Sequence, residues 1–254
     1  MIDEDHCALD WLKSVNTLKN HDTACGKHEP TIGNWLLQSD QFVEWMKATK
    51  GSFWLYGNPG VGKTDLCSTI IEHVKEECKC NPRDQYVYFY FDFNEERSLR
   101  HMIPSIVRQL CIRKKEVPSE LHQLYEEYDN GRHEPSAARL LIAFSSLLRE
   151  SHRTFVILDA LDECKVGTDR NQLLQAVKDM TAMNLNVLVT SRKEKDITDK
   201  LEGLINHQVY LSEDIVARDI VLYIRNRLKN DDKLQRWNKS VDIENALIKG
   251  AYGM

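Results

Sequence analysis

The sequence predicts an α/β fold in which a parallel five-stranded sheet carries helices on both faces. Short apolar runs alternate along the chain with segments whose apolar residues recur at helical spacing. The runs are apolar almost throughout, which is typical of parallel strands, because a strand with one wet face would alternate apolar and polar residues. From residue 212 onward only helical patterns remain, so we expect a helical unit to begin there.

The elements follow one another in a simple order. Five strands are predicted, at residues 52–56, 86–93, 154–158, 186–190 and 208–211. A glycine turn after the first strand leads into a helical pattern near Leu66, and further helical patterns separate the second strand from the third and the third from the fourth. Pro104 falls inside the second helical pattern and predicts a kink or a late helix start. The pair Asn130-Gly131 marks a connection between helices.

Composition excludes several classes of function. The formal net charge is −5, and Lys and Arg form no long basic block, so binding to nucleic acid is not expected. No apolar stretch approaches the roughly 20 residues that cross a bilayer, and the chain begins with acidic residues where a targeting peptide would be basic. The seven cysteines are odd in number and scattered, which favours reduced thiols. We therefore expect a cytoplasmic protein without a membrane partner.

A glycine-rich loop after the first strand matches the P-loop pattern, and it lies between a predicted strand and a predicted helix as that pattern requires. The predicted nucleotide-binding residues are those of the pattern together with the next residue, Asp65: Gly57, Asn58, Pro59, Gly60, Val61, Gly62, Lys63, Thr64 and Asp65. Glycines let backbone N–H groups converge on phosphate oxygens, Lys63 reaches the β- and γ-phosphates, and the Thr64 hydroxyl takes a position on Mg²⁺. The loop predicts a bound nucleoside triphosphate with Mg²⁺. It does not decide between ATP and GTP, because base recognition is not encoded in it.

Three acids follow the third predicted strand. Asp159 stands at its carboxyl end, where a carboxylate can hold the Mg²⁺ shell. Asp162 and Glu163 lie where they could orient or deprotonate a water molecule. Three acids after a buried strand are costly unless a cation compensates their charge. We interpret them as acids of the nucleotide site; a solvated acidic loop is the alternative.

The fourth predicted strand ends in Ser191 and Arg192. We expect this strand to lie beside the first one, so that Arg192 faces the γ-phosphate. There its guanidinium could stabilise the charge that develops during transfer. A surface arginine at a strand end is the alternative.

Five motifs follow one another along the chain, at residues 31–37 (TIGNWLL), 57–64 (GNPGVGKT), 89–94 (FYFDFN), 158–164 (LDALDEC) and 188–192 (LVTSR). Together they resemble the NACHT family of signal-transduction ATPases and GTPases, particularly fungal proteins related to nephrocystin-type and heterokaryon-incompatibility sensors. The resemblance spans nearly the whole chain. It implies a P-loop NTPase of the AAA+/STAND-like class that hydrolyses its nucleotide weakly.

The resemblance also implies roles for the acids and the arginine. Asp159 would be the acid associated with Mg²⁺. Asp162 would be the likelier activator of water, with Glu163 beside it. Arg192 would be the first sensor of the γ-phosphate.

The family resemblance also places residues ahead of the first strand near the base or ribose of the nucleotide. Thr31 and Gly33 would lie near that part of the nucleotide. Trp35, Phe42 and Trp45 form an apolar helical face in the same region. We interpret this face as core packing, with a contact to the base as the alternative.

By the same resemblance, the chain divides into a helical flanking segment at residues 1–50, an NTPase core at 51–211 and a helical lid segment at 212–254. Family sensors normally carry an effector region ahead of this module and ankyrin, WD40 or TPR-like repeats behind it, and the sequence contains neither. Residues 250–254 resemble the opening of a lid motif. We therefore expect a fragment of a larger NLR-like sensor or a truncated gene product.

The function implied is a signalling switch of the innate-immunity or heterokaryon-incompatibility type. We expect the triphosphate-bound form to self-associate through the NTPase domain and slow hydrolysis to return it to rest. The effector and repeat regions would be its missing partners. A nucleotide-binding structural or oligomerisation module without useful catalysis is the main alternative. A P-loop kinase or a nucleic-acid motor is a third, which the acidic balance of the chain disfavours.

Overall fold

Five strands form one parallel sheet in the computed structural model, which describes residues 3–12, 21, 33–95, 97–230, 234, 237 and 241–251. The strands are β1 (Gly51–Gly57), β2 (Asp84–Tyr90), β3 (Arg153–Asp159), β4 (Asn186–Ser191) and β5 (His207–Leu211). Their order across the sheet is β2-β3-β4-β1-β5, and every neighbouring pair is parallel. The predicted five-stranded parallel sheet is confirmed. The prediction that the fourth strand lies beside the first is confirmed as well, since β4 pairs with β1.

Helices connect the strands and flank the sheet. Before β1 lie α1 (Asp3–Trp11), α2 (Asn34–Leu37) and α3 (Asp40–Lys47). Between strands lie α4 (Lys63–Cys80), α5 (Leu99–Lys114), α6 (Ser119–Glu127), α7 (Ala137–Leu148), α8 (Thr168–Ala182) and α9 (Lys195–Leu201), and after β5 come α10 (Glu213–Asn230) and α11 (Val241–Ala251). Within the part of the chain that the structure describes, no helix is both long enough and apolar enough to cross a membrane.

Both faces of the sheet are buried, which explains why the strand sequences are apolar almost throughout. Trp54 and Val156 face a core built with α5, α7 and α8, whereas their neighbours Phe53 and Ile157 face a second core built with α3 and α4. Adjacent strand residues point to opposite sides, so β1, β2, β3 and β4 each contribute to both cores, whereas Val209 and Leu211 of the edge strand β5 pack on the second core. The predicted helices on both faces are therefore confirmed.

The aromatic face ahead of β1 belongs to the second core. Phe42 and Trp45 on α3 are fully buried, and each lies in edge-to-face contact with Phe53 of β1. The interpretation of these two rings as core packing is confirmed, and neither is exposed to a ligand. Trp35 on α2 is only partly buried.

Two predicted boundaries differ from the structure. The run predicted as a strand to residue 93 ends at Tyr90, because β3 ends opposite it at Asp159 and offers no further partner for the ladder. Phe93 instead begins a short 3₁₀ helix and is 70% exposed. Helix α5 begins at Leu99, ahead of Pro104, so the late start predicted from the proline is wrong.

Candidate functional site

The loop between β1 and α4 contains the predicted phosphate-binding residues. Gly60 and Gly62 adopt left-handed backbone angles, with φ of 78° and 84°, which residues with a Cβ rarely adopt. A Cβ on Gly57 would lie 2.8 Å from the carbonyl oxygen of Leu211 on β5, so the end of β1 needs a glycine for a different reason. The loop ends at the first turn of α4, whose N–H groups lack helical partners and can bind phosphate.

Lys63 lies at the first position of α4, and its ammonium turns back onto the loop. Its Nζ donates to the carbonyl oxygens of Gly57 and Asn58, both at 2.8 Å. Burial lowers the pKa of Lys63, and the charges of nearby acids, Asp162 first, oppose that shift. Because its two acceptors are neutral carbonyls, the ammonium can exchange them for stronger charge-assisted bonds to phosphate.

The other loop positions surround this lysine. Asn58 and Pro59 are exposed, and a Cβ added to Gly57 would lie 2.9 Å from Cγ1 of Val61. Asp65 is exposed in the first turn of α4, where a negative charge suits the helix dipole.

Asp159 joins three elements at the carboxyl edge of the sheet. Thr64 at the start of α4 donates to its Oδ2 at 2.9 Å, and Thr190 near the end of β4 donates to its Oδ1 at 2.6 Å. Burial raises the pKa of Asp159, which is 2% exposed, while the bonds from Thr190, Thr64 and the Cys67 thiol oppose that effect. The next residue, Ala160, has a φ of 59°, a strained value for a residue with a side chain. Thr64 and Asp159 therefore present two hard oxygen donors side by side, a set that suits Mg²⁺ completed by phosphate and water.

Asp162 and Arg192 form a pair. The Nε of Arg192 lies 2.9 Å from Oδ2 of Asp162, and the backbone N–H of Arg192 donates to Oδ1 at 3.0 Å. The Asp162 side chain is only 4% exposed, whereas Arg192 is exposed. Both carboxylate oxygens of Asp162 are thus engaged in holding the arginine at the end of β4. Asp162 and Arg192 both act electrostatically on Lys63, so the three charges share one site.

Glu163 is the third acid of the cluster and lies in a different environment. Burial raises the pKa of its carboxyl group, and the charges of Asp162, Asp159 and Asp92 add to the effect. Its Oε2 accepts the backbone N–H of Phe93 at 3.3 Å. Since Asp159 and Asp162 are buried and bonded and Glu163 is partly buried, the alternative of a solvated acidic loop does not describe this segment.

The residues predicted to lie near the base are only partly described. Thr31 lies outside the described residues. Gly33 has a φ of 82°, and a Cβ added there would lie 2.7 Å from Leu66 of α4, so this backbone packs closely against the helix that follows the phosphate loop. The Gly33 N–H and the Trp35 indole N–H both donate to Oδ2 of Asp219, at 3.0 and 2.9 Å.

The sequence patterns missed Asp219, although a signal exists. Asp219 is a buried acid on α10, and the apolar residues Val216 and Ile220 beside it pack on the second core. An acid within the apolar stripe of a helix is expected to have a specific partner. Its partners here are donors on the segment ahead of β1.

Comparisons with known proteins show what this chain is similar to. Residues 31–192 match the family model described as Nephrocystin 3, N-terminal. Vegetative incompatibility protein HET-E-1 of Podospora anserina is 25% identical over 206 residues, which cover 76% of this chain and 15% of that protein. The chain therefore spans a small part of this curated relative. Among solved structures, Drosophila ORC bound to DNA matches 99% of this chain and 55% of that chain, with a TM-score of 0.51 and 16% identity, a likeness of fold alone.

Proposed function

Because the chain belongs to the nephrocystin 3 N-terminal family of NACHT-like P-loop NTPases, we propose that it is a nucleotide-controlled switch that binds ATP or GTP with Mg²⁺ and hydrolyses it slowly. Membership of this family supports nucleotide binding by a P-loop module. One observation supports Mg²⁺ binding and hydrolysis, namely that four features converge at one edge of the sheet. They are the loop with Lys63, the acid Asp159 beside Thr64, the Asp162–Arg192 pair and the partly buried Glu163. Mass spectrometry of the nucleotide released from purified protein tests this proposal and identifies the base.

In this proposal the phosphates lie at the amino end of α4, where Lys63 and the first-turn N–H groups face them. Thr64 and Asp159 would hold Mg²⁺, which neutralises phosphate charge when bound. The partly buried position of Lys63 strengthens its attraction to phosphate, because neighbouring charges interact more strongly where water is excluded.

The two remaining acids take different roles. Asp162 keeps Arg192 directed toward the γ-phosphate, because both of its oxygens bind that residue. Glu163 accepts the proton of the attacking water, since a carboxylate with a raised pKa is the better base. This assignment differs from the one that the family resemblance implied, in which Asp162 activates the water and Glu163 lies beside it.

Switching requires that nucleotide changes the relation between the core, at residues 51–211, and the lid segment, at 212–254. The carboxylate of Asp219 supports such a link, because it connects α10 to Gly33 and Trp35 in the flanking segment at residues 1–50. Gly33 in turn packs against Leu66, near the start of the helix that follows the phosphate loop. A change at the phosphates can therefore reach the lid through contacts between Leu66, Gly33 and Asp219.

We expect Asp219→Ala to loosen the lid and speed nucleotide release. The change leaves two buried donors without their acceptor, which is expected to lower the free energy of unfolding by about 2 kcal/mol. Asp214→Ala is the matched control, because Asp214 is exposed on the same helix. Denaturant unfolding gives the stability, and stopped-flow release of a fluorescent ATP or GTP analogue gives the rate. Lower stability with an unchanged release rate would show that the Asp219 contacts are structural only.

Assembly without useful catalysis is the second candidate function, and one observation favours it. Phe93 and Val166 are 70% and 71% exposed. Both lie close to the proposed catalytic acids, because the Phe93 N–H donates to Glu163 and Val166 stands three positions after Glu163 in the sequence. Exposed apolar side chains at this place suit contact with a second copy of the chain.

The double change Phe93→Ser and Val166→Ser is expected to weaken nucleotide-dependent self-association at least about tenfold, since two exposed apolar groups leave the interface. Ile142→Ser is the control, because Ile142 is exposed on α7. Sedimentation velocity with Mg²⁺ and a non-hydrolysable triphosphate measures the association. A wild-type chain that associates but shows no single-turnover hydrolysis supports the second candidate against the first.

A further inference from the structure

A buried arginine on α8 connects the two catalytic loops. The Arg170 side chain is 4% exposed, and it lies near the start of α8, after the loop that carries Asp162 and Glu163. A buried guanidinium is costly unless several acceptors satisfy its N–H groups. Those acceptors come from two different loops.

The first set of acceptors belongs to the loop after β3. The Nε and Nη2 atoms of Arg170 donate to the carbonyl oxygen of Cys164 at 2.9 and 2.7 Å, and Nη2 also donates to the carbonyl oxygen of Asp162. The guanidinium therefore binds the backbone on both sides of Glu163. It fixes the path of the segment that presents both catalytic acids.

The second set belongs to the loop after β4. The Nη1 atom of Arg170 pairs with the Glu194 carboxylate and lies 3.5 Å from Oδ2 of Asp196. Glu194 stands two positions after Arg192 and occupies the position immediately before α9. One planar group thus binds the acid loop with one edge and the arginine loop with the other.

We propose that Arg170 is a positioning residue that sets the distance between Glu163 and Arg192 for hydrolysis. This role rests on the proposed hydrolytic function. The hydrogen bonds of Arg170 in the described part of the chain reach neither Lys63 nor Thr64, so nucleotide affinity does not depend on it. Hydrolysis does, because a misplacement of about 1 Å can cost about 100-fold in rate.

The test separates binding from chemistry. Arg170→Met is expected to lower the single-turnover rate of ATP or GTP hydrolysis about 100-fold and to change the Kd of a fluorescent nucleotide analogue less than about threefold. Arg170→Lys is expected to restore part of the rate, because an ammonium can reach one loop but cannot bridge both with a fixed fork. Arg153→Met is the control: it removes a partly buried arginine paired with Asp84 and bonded to the Met46 carbonyl, at the opposite end of the sheet.

Glu194→Gln is the variant that keeps the protein folded, because Glu194 is partly exposed and the carbonyl bonds of Arg170 remain. It is expected to slow hydrolysis about tenfold with little change in Tm. Full hydrolysis rates in the Arg170→Met and Glu194→Gln proteins, or an equal loss in Arg153→Met, would overturn the proposal. A wild-type chain that binds nucleotide without hydrolysing it overturns the hydrolytic function, and with it this role; slow variants beside an active wild type support both.

Discussion

Replacing Lys63 with alanine is expected to weaken binding of ATP and GTP at least about 100-fold, because charge-assisted bonds to phosphate contribute about 1.5–3 kcal/mol each. The variant is expected to remain folded, since the substitution removes only two hydrogen bonds to loop carbonyls. Isothermal titration calorimetry with Mg²⁺ measures the affinity for each nucleotide.

Lys50→Ala is the matched control for this change. The ammonium of Lys50 also donates to a backbone carbonyl, that of Ala182 at 2.9 Å, but it precedes the amino end of β1, the strand whose carboxyl end leads into the phosphate loop. Nucleotide at 100 times the wild-type Kd should raise the unfolding free energy of the wild type and of Lys50→Ala by about 2.7 kcal/mol, and that of Lys63→Ala by about 0.4 kcal/mol or less. Normal binding by Lys63→Ala would place the phosphates elsewhere and refute the proposed site.

Much of the fold could be predicted because it depends on local patterns. A run such as residues 155–158 is apolar throughout only when both faces of its strand are buried, and that condition also predicts a parallel sheet with helices on both sides. Helices α6 and α9 were not predicted, because each is short and buries only two apolar residues, Leu121 and Leu124 in α6 and Ile197 and Leu201 in α9. The end of β2 was not predictable from its own residues either, since it depends on where β3 stops.

The site divides in the same way. The phosphate loop is contiguous in sequence, so its spacing alone predicts it. Arg170 and Asp219 act through partners that are distant along the chain or that belong to a different loop, and no local pattern identifies those partners. The proposed roles of Asp162 and Glu163 depend on how each carboxylate is bonded in the packed structure: both oxygens of Asp162 bind Arg192, whereas Oε2 of Glu163 accepts the Phe93 N–H.

Replacing Glu163 with glutamine is expected to lower single-turnover hydrolysis about 10²–10⁴-fold, the usual contribution of a general base, while nucleotide affinity stays close to that of the wild type. The amide keeps an oxygen that can accept the Phe93 N–H, so the loop should retain its conformation. Rapid quenching of a preformed complex measures the chemical step apart from binding.

The pH dependence gives this prediction a second readout. Burial raises the pKa of Glu163 above its ordinary value of 4.5, and only the ionised carboxylate can accept a proton from water. The wild-type rate should therefore fall as the pH drops through that raised pKa, and the residual rate of Glu163→Gln should show no such fall.

Asp162→Asn decides between the two acids. If Glu163 is the base, the asparagine variant retains a pH-dependent rate but loses part of the stabilisation from Arg192, because an amide binds the guanidinium less strongly than a carboxylate does. If Asp162 is the base, as the family resemblance implies, this variant loses the pH-dependent rate and Glu163→Gln keeps it. The acid whose removal abolishes the pH-dependent step is the one that activates the water, and the engaged oxygens of Asp162 lead us to expect Glu163.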